Sequence, residues 1–147
     1  MSAYRTVVVG TDGSDSSLRA VDRAGEIAGG SGARVIVATA YFPQSEDHHA
    51  ADVLKDEGYK ATGNAPIYAI LREATDRAKA AGATEVVEKA IVGAPVDALV
   101  ELAESEKADL LVVGNVGLST IAGRLLGSVP ANVARRSKID VLIVHTS

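Results

Sequence analysis

The chain has 147 residues, the usual size of one domain, and 47% are hydrophobic while only 3% are aromatic, so Val, Ile, Leu and Ala must fill its core. It contains no cysteine, which excludes disulfides, zinc–thiolate sites and thiol nucleophiles, and we expect a protein of the reducing cytoplasm. The net charge is -4 and the 15 basic residues are dispersed, which argues against a nucleic acid as partner. The sequence has no long apolar run, which argues against a membrane.

Five short apolar runs, mostly of β-branched residues, predict five strands. The runs are bounded by Gly, Asp or Pro, and several are continuous rather than alternating, as is typical of strands that are covered on both faces. In chain order they are residues 7–9, 35–38, 86–92, 110–113 and 141–144.

Apolar residues at helical spacing lie between the strands and predict four helices. Ser14 or Asp15 can cap the first helix. Pro66 and Pro95 suit the first turns of the second and third helices, where a missing N–H costs nothing. The pair Gly29-Gly30 can end the first helix in the left-handed conformation.

The alternation of strands and helices predicts the fold class. Right-handed crossovers between parallel strands produce an α/β domain with a single open, doubly wound, Rossmann-like sheet, which we assign to residues 1–147. In such a sheet the ligand lies beyond the carboxyl ends of the strands, where the strand order changes direction. The ends of the first and fourth strands are therefore the places to look for a binding site.

Residues 42–65 interrupt the alternation, and we interpret them as a partly helical excursion. A variable surface insertion is the simpler reading. A lid over the site is the alternative, because a structureless loop of this length is uncommon unless it is functional or mobile. The adjacent His48 and His49 point in different directions on a helix, so they predict no metal site.

The stretch after the fourth strand carries the strongest functional signal, a G-x-x-G-x9-G-S pattern. Glycines let successive N–H groups approach an anion and turn towards it. Ser128 stands at the expected N-cap of the last helix, whose N-terminus attracts negative charge. The stretch is therefore predicted to bind a phosphate on its backbone. Its predicted contacts are Gly114, Asn115, Val116, Gly117, Gly127, Ser128 and Val129.

The end of the first strand supplies the second part of the predicted site. Gly10 lets the backbone come near a ligand, and Thr11 follows it. The carboxylate of Asp12 can accept hydrogen bonds from a ribose hydroxyl or an adenine amino group; the alternative is that it only caps the first helix. Ala40 closes the second strand and is small enough for an adenine ring to reach backbone groups there. We predict that all four residues contact the nucleotide.

The motifs argue against efficient catalysis. The sequence lacks the G-x4-G-K-[ST] phosphate loop, and no paired-carboxylate magnesium site accompanies the glycines. Phosphoryl transfer depends on metal ions and cationic clamps, so we predict no catalytic residue and no metal ligand. A slow ATPase or nucleotidyl transferase stays as the alternative. A flavodoxin-like carrier or a phospho-receiver fits poorly, since the chain has one Phe, no Trp and no receiver-type acidic cluster.

The last strand predicts a partner. It is apolar and no helix follows to cover it, and such an open edge aggregates unless it is paired. Pairing with its symmetry mate closes the edge, so we predict a homodimer through Ile139 to Val144. The neighbouring His145 has no nucleophile beside it, and we interpret it as a strand-end residue rather than a general base.

Three segments together resemble the universal stress protein family over essentially the whole chain. They are Val7 to Ser14, Ala108 to Gly114, and the G-x-x-G-x9-G-S signature, which is specific to the ATP-binding branch of that family. The resemblance implies a five-stranded sheet in the order 3-2-1-4-5 and phosphates on the glycine loop. It also implies an adenine pocket contacted by Asp12 and Ala40, and a homodimer.

Two departures from the family pattern bear on the ligand. ATP-binding relatives often carry a basic or long polar side chain within the G-x-x-G, where this chain has Asn115 and Val116. Many relatives also have a bulkier residue or proline in place of Gly10. Both departures favour a ligand with one phosphate, and the chain resembles the mycobacterial-type members that bind cyclic AMP. We expect a regulatory sensor or buffer of cyclic AMP, with ATP and its magnesium left open.

Overall fold

The computed structural model describes residues 4–41, 57–115 and 128–145, without the side chains of 57–65 and 128–130. The predicted strands and helices are all present, so the α/β prediction is confirmed. In chain order the elements are β1 (Thr6–Gly10), α1 (Asp15–Ser31), β2 (Arg34–Tyr41), α2 (Glu57–Ala81), β3 (Glu85–Val92), α3 (Pro95–Ser105), β4 (Leu110–Gly114), α4 (Ser128–Arg136) and β5 (Asp140–Val144).

The strands form one parallel sheet in the order β3-β2-β1-β4-β5, as the family resemblance implied. The chain runs outwards from β1 to β2 and β3, and then returns to β4 and β5 on the other side of β1. The strand order therefore changes direction between β1 and β4. The carboxyl ends of these two strands border the crevice in which such sheets bind their ligands.

Helices cover both faces of the sheet because alternate residues of β1 point to opposite faces. Val7 and Val9 pack in one buried cluster with Leu71 of α2. Val8 packs in a second cluster with Leu99 of α3. The predicted doubly wound arrangement is thus confirmed, and it explains the continuous apolar runs. No helix of the described ranges is long and apolar enough to cross a membrane.

The first helix begins as predicted but ends later. Ser14 is its N-cap, since its Oγ accepts a hydrogen bond from the N–H of Ser17 at 3.2 Å. The helix continues through Gly29-Gly30 to Ser31, and Gly32 adopts the left-handed conformation with φ of 76°. The prediction that Gly29-Gly30 end the helix is wrong, because Gly32, two residues after Gly30, supplies the left-handed residue.

The second helix begins earlier than predicted. It starts at Glu57, so Pro66 lies inside the helix and not in its first turn. The prediction was wrong because it relied on apolar residues at helical spacing. The sequence before Pro66 has no such repeat, so it did not mark these turns as helix. The predicted helical character of the 42–65 excursion is therefore seen from Glu57 onwards. Residues 42–56, with the lid question and His48 and His49, lie outside the described residues.

The edge strand β5 is hydrogen-bonded to β4 alone. Leu142 packs against the cluster on the α1 side, and Val141 packs against the opposite cluster. At the beginning of the strand, the hydroxyl of Tyr4 donates to Oδ2 of Asp140 at 2.9 Å. This hydrogen bond to a carboxylate raises the pKa of Tyr4 above its ordinary value. Within the described residues, the outer edge of β5 has no neighbouring strand.

Helices α1 and α2 meet backbone to backbone. A Cβ added to Gly25 would lie 2.5 Å from the carbonyl oxygen of Ala78, so no side chain fits there. Beside this contact the guanidinium of Arg77 donates two hydrogen bonds to the carboxylate of Asp22, at 2.9 and 2.6 Å. These hydrogen bonds raise the pKa of Arg77. The close approach fixes α2 against the rest of this face.

The variant Gly25→Ala should be less stable than the parent, because its methyl group would force the two helices apart. Overpacking of this kind costs about 1–3 kcal/mol. Gly30→Ala is the matched control in the same helix, since nothing lies within 4 Å of an added Cβ there. It should stabilise the protein by about 0.5–1 kcal/mol. Urea unfolding measures both changes, and equal shifts for the two variants would contradict the contact.

Candidate functional site

The carboxyl ends of β1, β2 and β4 bring three predicted segments to one edge of the sheet. Gly10 pairs with Ala38 of β2, and Val9 pairs with Val112 of β4. Because parallel strands share a carboxyl edge, the segments that follow these pairs converge at the crevice beside β1. These segments are residues 10–12, Ala40 and residues 114–115.

The peptide groups of Ala40 face this crevice. Successive residues of a strand inside a parallel sheet direct their N–H and C=O groups alternately to one neighbour and the other. The N–H of Thr11 donates to the C=O of Ala38 at 2.9 Å, and on the other side the N–H of Gly93 donates to the C=O of Tyr41 at 2.8 Å. Even-numbered residues of β2 thus face β1. The N–H and the C=O of Ala40 therefore both point towards the β1 side. Ala40 lies beyond Ala38, which pairs with Gly10 at the end of β1.

The loop between β1 and α1 holds the carboxylate of Asp12 at the same edge. Oδ1 of Asp12 accepts a hydrogen bond from the N–H of Ser14 at 2.9 Å. The N–H of Asp12 lies 3.3 Å from Oγ of Ser17, to which it donates. Asp12 is half-buried, and Ser14 is the N-cap. The helix therefore has its cap without Asp12, and the carboxylate lies in a fixed orientation beside the crevice.

Two buried hydroxyls underlie this loop. Thr11 is 1% exposed and Ser17 is 2% exposed, and their hydroxyl oxygens are 2.8 Å apart. The Thr11 hydroxyl accepts from the N–H of Gly13 at 3.0 Å, and the Ser17 hydroxyl donates to the carbonyl oxygen of Ser14 at 3.0 Å. The Thr11 side chain thus points into the fold, so only the main chain of Thr11 is placed to make the predicted contact with a nucleotide.

Sequence reasoning missed Ser17 and Gly13 as parts of this site. Ser17 left one signal, a small polar residue at a position that the buried face of α1 includes. Gly13 has a φ of 85°, which disfavours side chains, and an added Cβ would lie 3.0 Å from Cγ1 of Ile70. Helix α2 therefore packs directly on the loop that carries Asp12.

The predicted phosphate loop is described only at its two ends. Gly114 is buried at the end of β4, and Asn115 is half-buried. The prediction that Ser128 precedes the last helix as its N-cap is wrong, since α4 includes Ser128; Pro130 lies in the first turn, where its missing N–H costs no helical hydrogen bond. The N–H groups of that turn have no acceptor within the helix. The predicted contacts Val116, Gly117 and Gly127 lie outside the described residues, and Val129 is described in its backbone alone.

The described part of this edge carries little positive charge. The strand ends at residues 10–15, 40–41, 92–94, 114–115 and 144–145 include neither lysine nor arginine. Among the described residues no group of three or more His, Cys, Asp and Glu side chains is placed to hold a metal ion. A ligand anion at these strand ends would therefore meet main-chain N–H groups and no lysine or arginine side chain.

Thr11→Val should destabilise the protein, because the isosteric side chain removes the hydroxyl that Gly13 and Ser17 use. Leaving buried donors without partners costs about 1–3 kcal/mol. Ser105→Ala is the control, since the exposed Ser105 hydroxyl donates only to the Leu102 carbonyl of its own helix, at 3.1 Å. The control should change the stability by less than about 0.5 kcal/mol. Denaturant melts that do not separate the two variants would contradict the network.

Comparisons with known proteins agree with these observations. The model of the Universal stress protein family matches residues 3–145. Universal stress protein Rv1636 of Mycobacterium tuberculosis is 74% identical over 147 residues, which cover 100% of both chains. A crystal structure of a universal stress protein in complex with cAMP has 74% identity and a TM-score of 0.79, covering 99% of this chain and 100% of that chain. The universal stress protein from Archaeoglobus fulgidus in complex with dAMP has 25% identity and a TM-score of 0.69, covering 95% and 97%.

Proposed function

Because the chain belongs to the universal stress protein family, we propose that it binds an adenine nucleotide, cyclic AMP in preference to ATP, as a regulatory sensor or buffer. The observation that carries the proposal is the position of the Ala40 peptide groups beside Asp12 and across the crevice from Gly114. One universal stress protein with 74% identity to this chain was crystallised in complex with cAMP, and the one from Archaeoglobus fulgidus in complex with dAMP. Both ligands combine an adenine ring with a single phosphate.

The geometry suits an adenine ring at the end of β2. Adenine presents an amino donor beside a ring-nitrogen acceptor, and a peptide C=O and N–H on one strand edge complement that pair. The Ala40 side chain is a methyl group, so a flat ring can approach the backbone. The Asp12 carboxylate then lies on the side of the ribose, where it can accept a hydrogen bond from a sugar hydroxyl. Together these groups would recognise a nucleoside without a basic side chain.

The phosphate belongs on the segment from Gly114 to Val129. In this proposal the main-chain N–H groups after Gly114, the Ser128 hydroxyl and the N-terminus of α4 would supply the donors of an anion nest, as glycine-rich loops do. Such a nest matches the single charge of a cyclic phosphodiester. The outer phosphates of ATP usually require lysine, arginine or magnesium, and the described strand ends contain neither lysine nor arginine. This difference favours cyclic AMP.

We propose binding without efficient turnover. The chain has no Walker-type lysine, and phosphoryl transfer draws its rate from cations that neutralise the transferring group. The alternative is a slow ATPase or nucleotidyl transferase at the same site. Magnesium-dependent ATP turnover that Asp12→Ala abolishes would favour the enzyme.

Thermal unfolding with cyclic AMP, AMP, magnesium–ATP and FMN tests the ligand. At 100 times its dissociation constant a ligand adds about 2.7 kcal/mol, which raises the melting temperature by about 5–10 °C for a protein of this size. We expect the largest shift from cyclic AMP and none from FMN. If no adenine nucleotide shifts the transition, the proposed function is wrong.

Two acidic residues of the same loop region give a matched pair for this measurement. Asp12→Ala should weaken cyclic AMP binding about 5- to 100-fold, since it removes a charge-assisted hydrogen bond to the ligand. Asp15→Ala removes the same charge from an exposed position in the first turn of α1 and should leave the affinity within about twofold. Equal losses in the two variants would point to net charge rather than to a contact by Asp12.

We further propose a homodimer in the cytoplasm, formed through Ile139 to Val144. The sheet has two outer edges, and they differ in chemistry. β3 carries Glu85, Glu88 and Lys89, charges of the kind that protect an edge from pairing. β5 has only apolar residues from Val141 onwards, and Ile143 is 41% exposed. The edge of β5 is therefore the one suited to a second copy. The lack of cysteine favours a reducing compartment.

Ile143→Lys should abolish this dimer, because it places a charged, hydrated side chain from each copy in an apolar strand-to-strand interface. Ile143→Lys should sediment near the chain mass of 15.1 kDa. Val92→Lys is the control on the other edge, where Val92 is 60% exposed, and it should sediment as the parent does. A dimer that withstands Ile143→Lys but not Val92→Lys would place the interface on β3.

A further inference from the structure

The first residue after β4 is attached to the end of β5 twice. Gly114 pairs with Val144 at the end of the ladder. One residue later, the N–H of Asn115 donates to the carbonyl oxygen of Val144 at 2.8 Å. The side-chain amide nitrogen of Asn115 lies 2.9 Å from Nδ1 of His145. The main chain of Asn115 is thus held by Val144, the last residue of β5, and its side chain by His145, the residue that follows the strand.

The side-chain contact joins an amide nitrogen to a ring nitrogen. An amide nitrogen can only donate, so Nδ1 of His145 is the acceptor in this contact. His145 is exposed while Asn115 is half-buried. The imidazole therefore acts as an acceptor that anchors the Asn115 amide from the solvent side.

We propose that His145 is a positioning residue for the nucleotide site: it acts through Asn115 to set the direction in which the phosphate loop leaves β4. The inference rests on the proposed function, because it assigns the loop after Gly114 to the phosphate. A backbone nest binds an anion only if its N–H groups converge, and a fixed peptide at Asn115 fixes the point and the direction from which the loop starts. Fixing Asn115 in advance removes part of the ordering cost of binding.

His145 and Asn115 can be separated by a double-mutant cycle with cyclic AMP affinity as the readout. His145→Ala should weaken binding about three- to tenfold, the effect of one net hydrogen bond. In the Asn115→Ala background the same substitution should have no further effect, because the residue through which it acts is gone. His145→Asn places an amide oxygen near the position of Nδ1 and should restore most of the affinity.

The outcomes separate this proposal from its alternatives. A loss of affinity that is equal in both backgrounds would overturn it, since His145 would then act on the ligand or on the fold directly. An unchanged affinity in His145→Ala would overturn it as well. Because His145 is exposed, the melting temperature without ligand should change by less than about 2 °C. If the parent protein binds no adenine nucleotide, the proposed function fails first.

Amide resonances of the ligand-free protein test the positioning independently of any nucleotide. His145→Ala should shift the backbone amides of residues 114–117 and the side-chain amide of Asn115, whereas His145→Asn should return them towards the parent positions. Unperturbed loop resonances in His145→Ala would refute the clamp even if nucleotide binding is confirmed.

Discussion

The burial of β1 on both faces is the constraint on which the rest of the structure depends. Val7, Val8 and Val9 are each 0% exposed, and a strand of this kind is stable only between two other strands and under two helical layers. The chain meets this demand by building outwards on one side of β1 and then on the other. The crevice at the carboxyl end is a consequence of that route, because α1 after β1 and α4 after β4 pack on opposite faces of the sheet. The position of the site therefore follows from the hydrophobic core.

The close contact between α1 and α2 extends this constraint to the site itself. Gly25 lets the backbone of Ala78 approach without an intervening side chain, and Arg77 locks the pair of helices through Asp22. With α2 fixed in this way, its Ile70 rests on Gly13, inside the loop that presents Asp12. The loop is then held from beneath by the buried hydroxyls and from the side by α2. The Asp12 carboxylate thus has few orientations to lose when a ligand binds, which lowers the entropic cost of recognition.

The sequence predicts the parts of this protein that depend on local signals. Apolar runs and the Ser14 cap are local, and the elements they predict are present. Pro66 was misplaced because the early turns of α2 have no apolar periodicity, so nothing in the sequence marks them as helix. Ser17 and His145 were missed for a different reason. Their partners lie across a turn or 30 residues away, and only the folded topology brings Asn115 next to His145. The strand order came from family resemblance and not from periodicity, which contains no information on which strands are neighbours.

The strand β5 joins two features that sequence alone treats as separate. Its inner edge pairs with β4 as far as Gly114, where the proposed phosphate loop begins. Its outer edge, with Ile143 exposed, is the proposed surface for a second copy. Both edges belong to the same short backbone segment, Asp140–Val144. If a partner changed the affinity for the nucleotide, the nucleotide would change the affinity for the partner by the same factor, because binding free energies around a closed cycle must balance. The edge strand is thus the element through which assembly and ligand binding would influence one another.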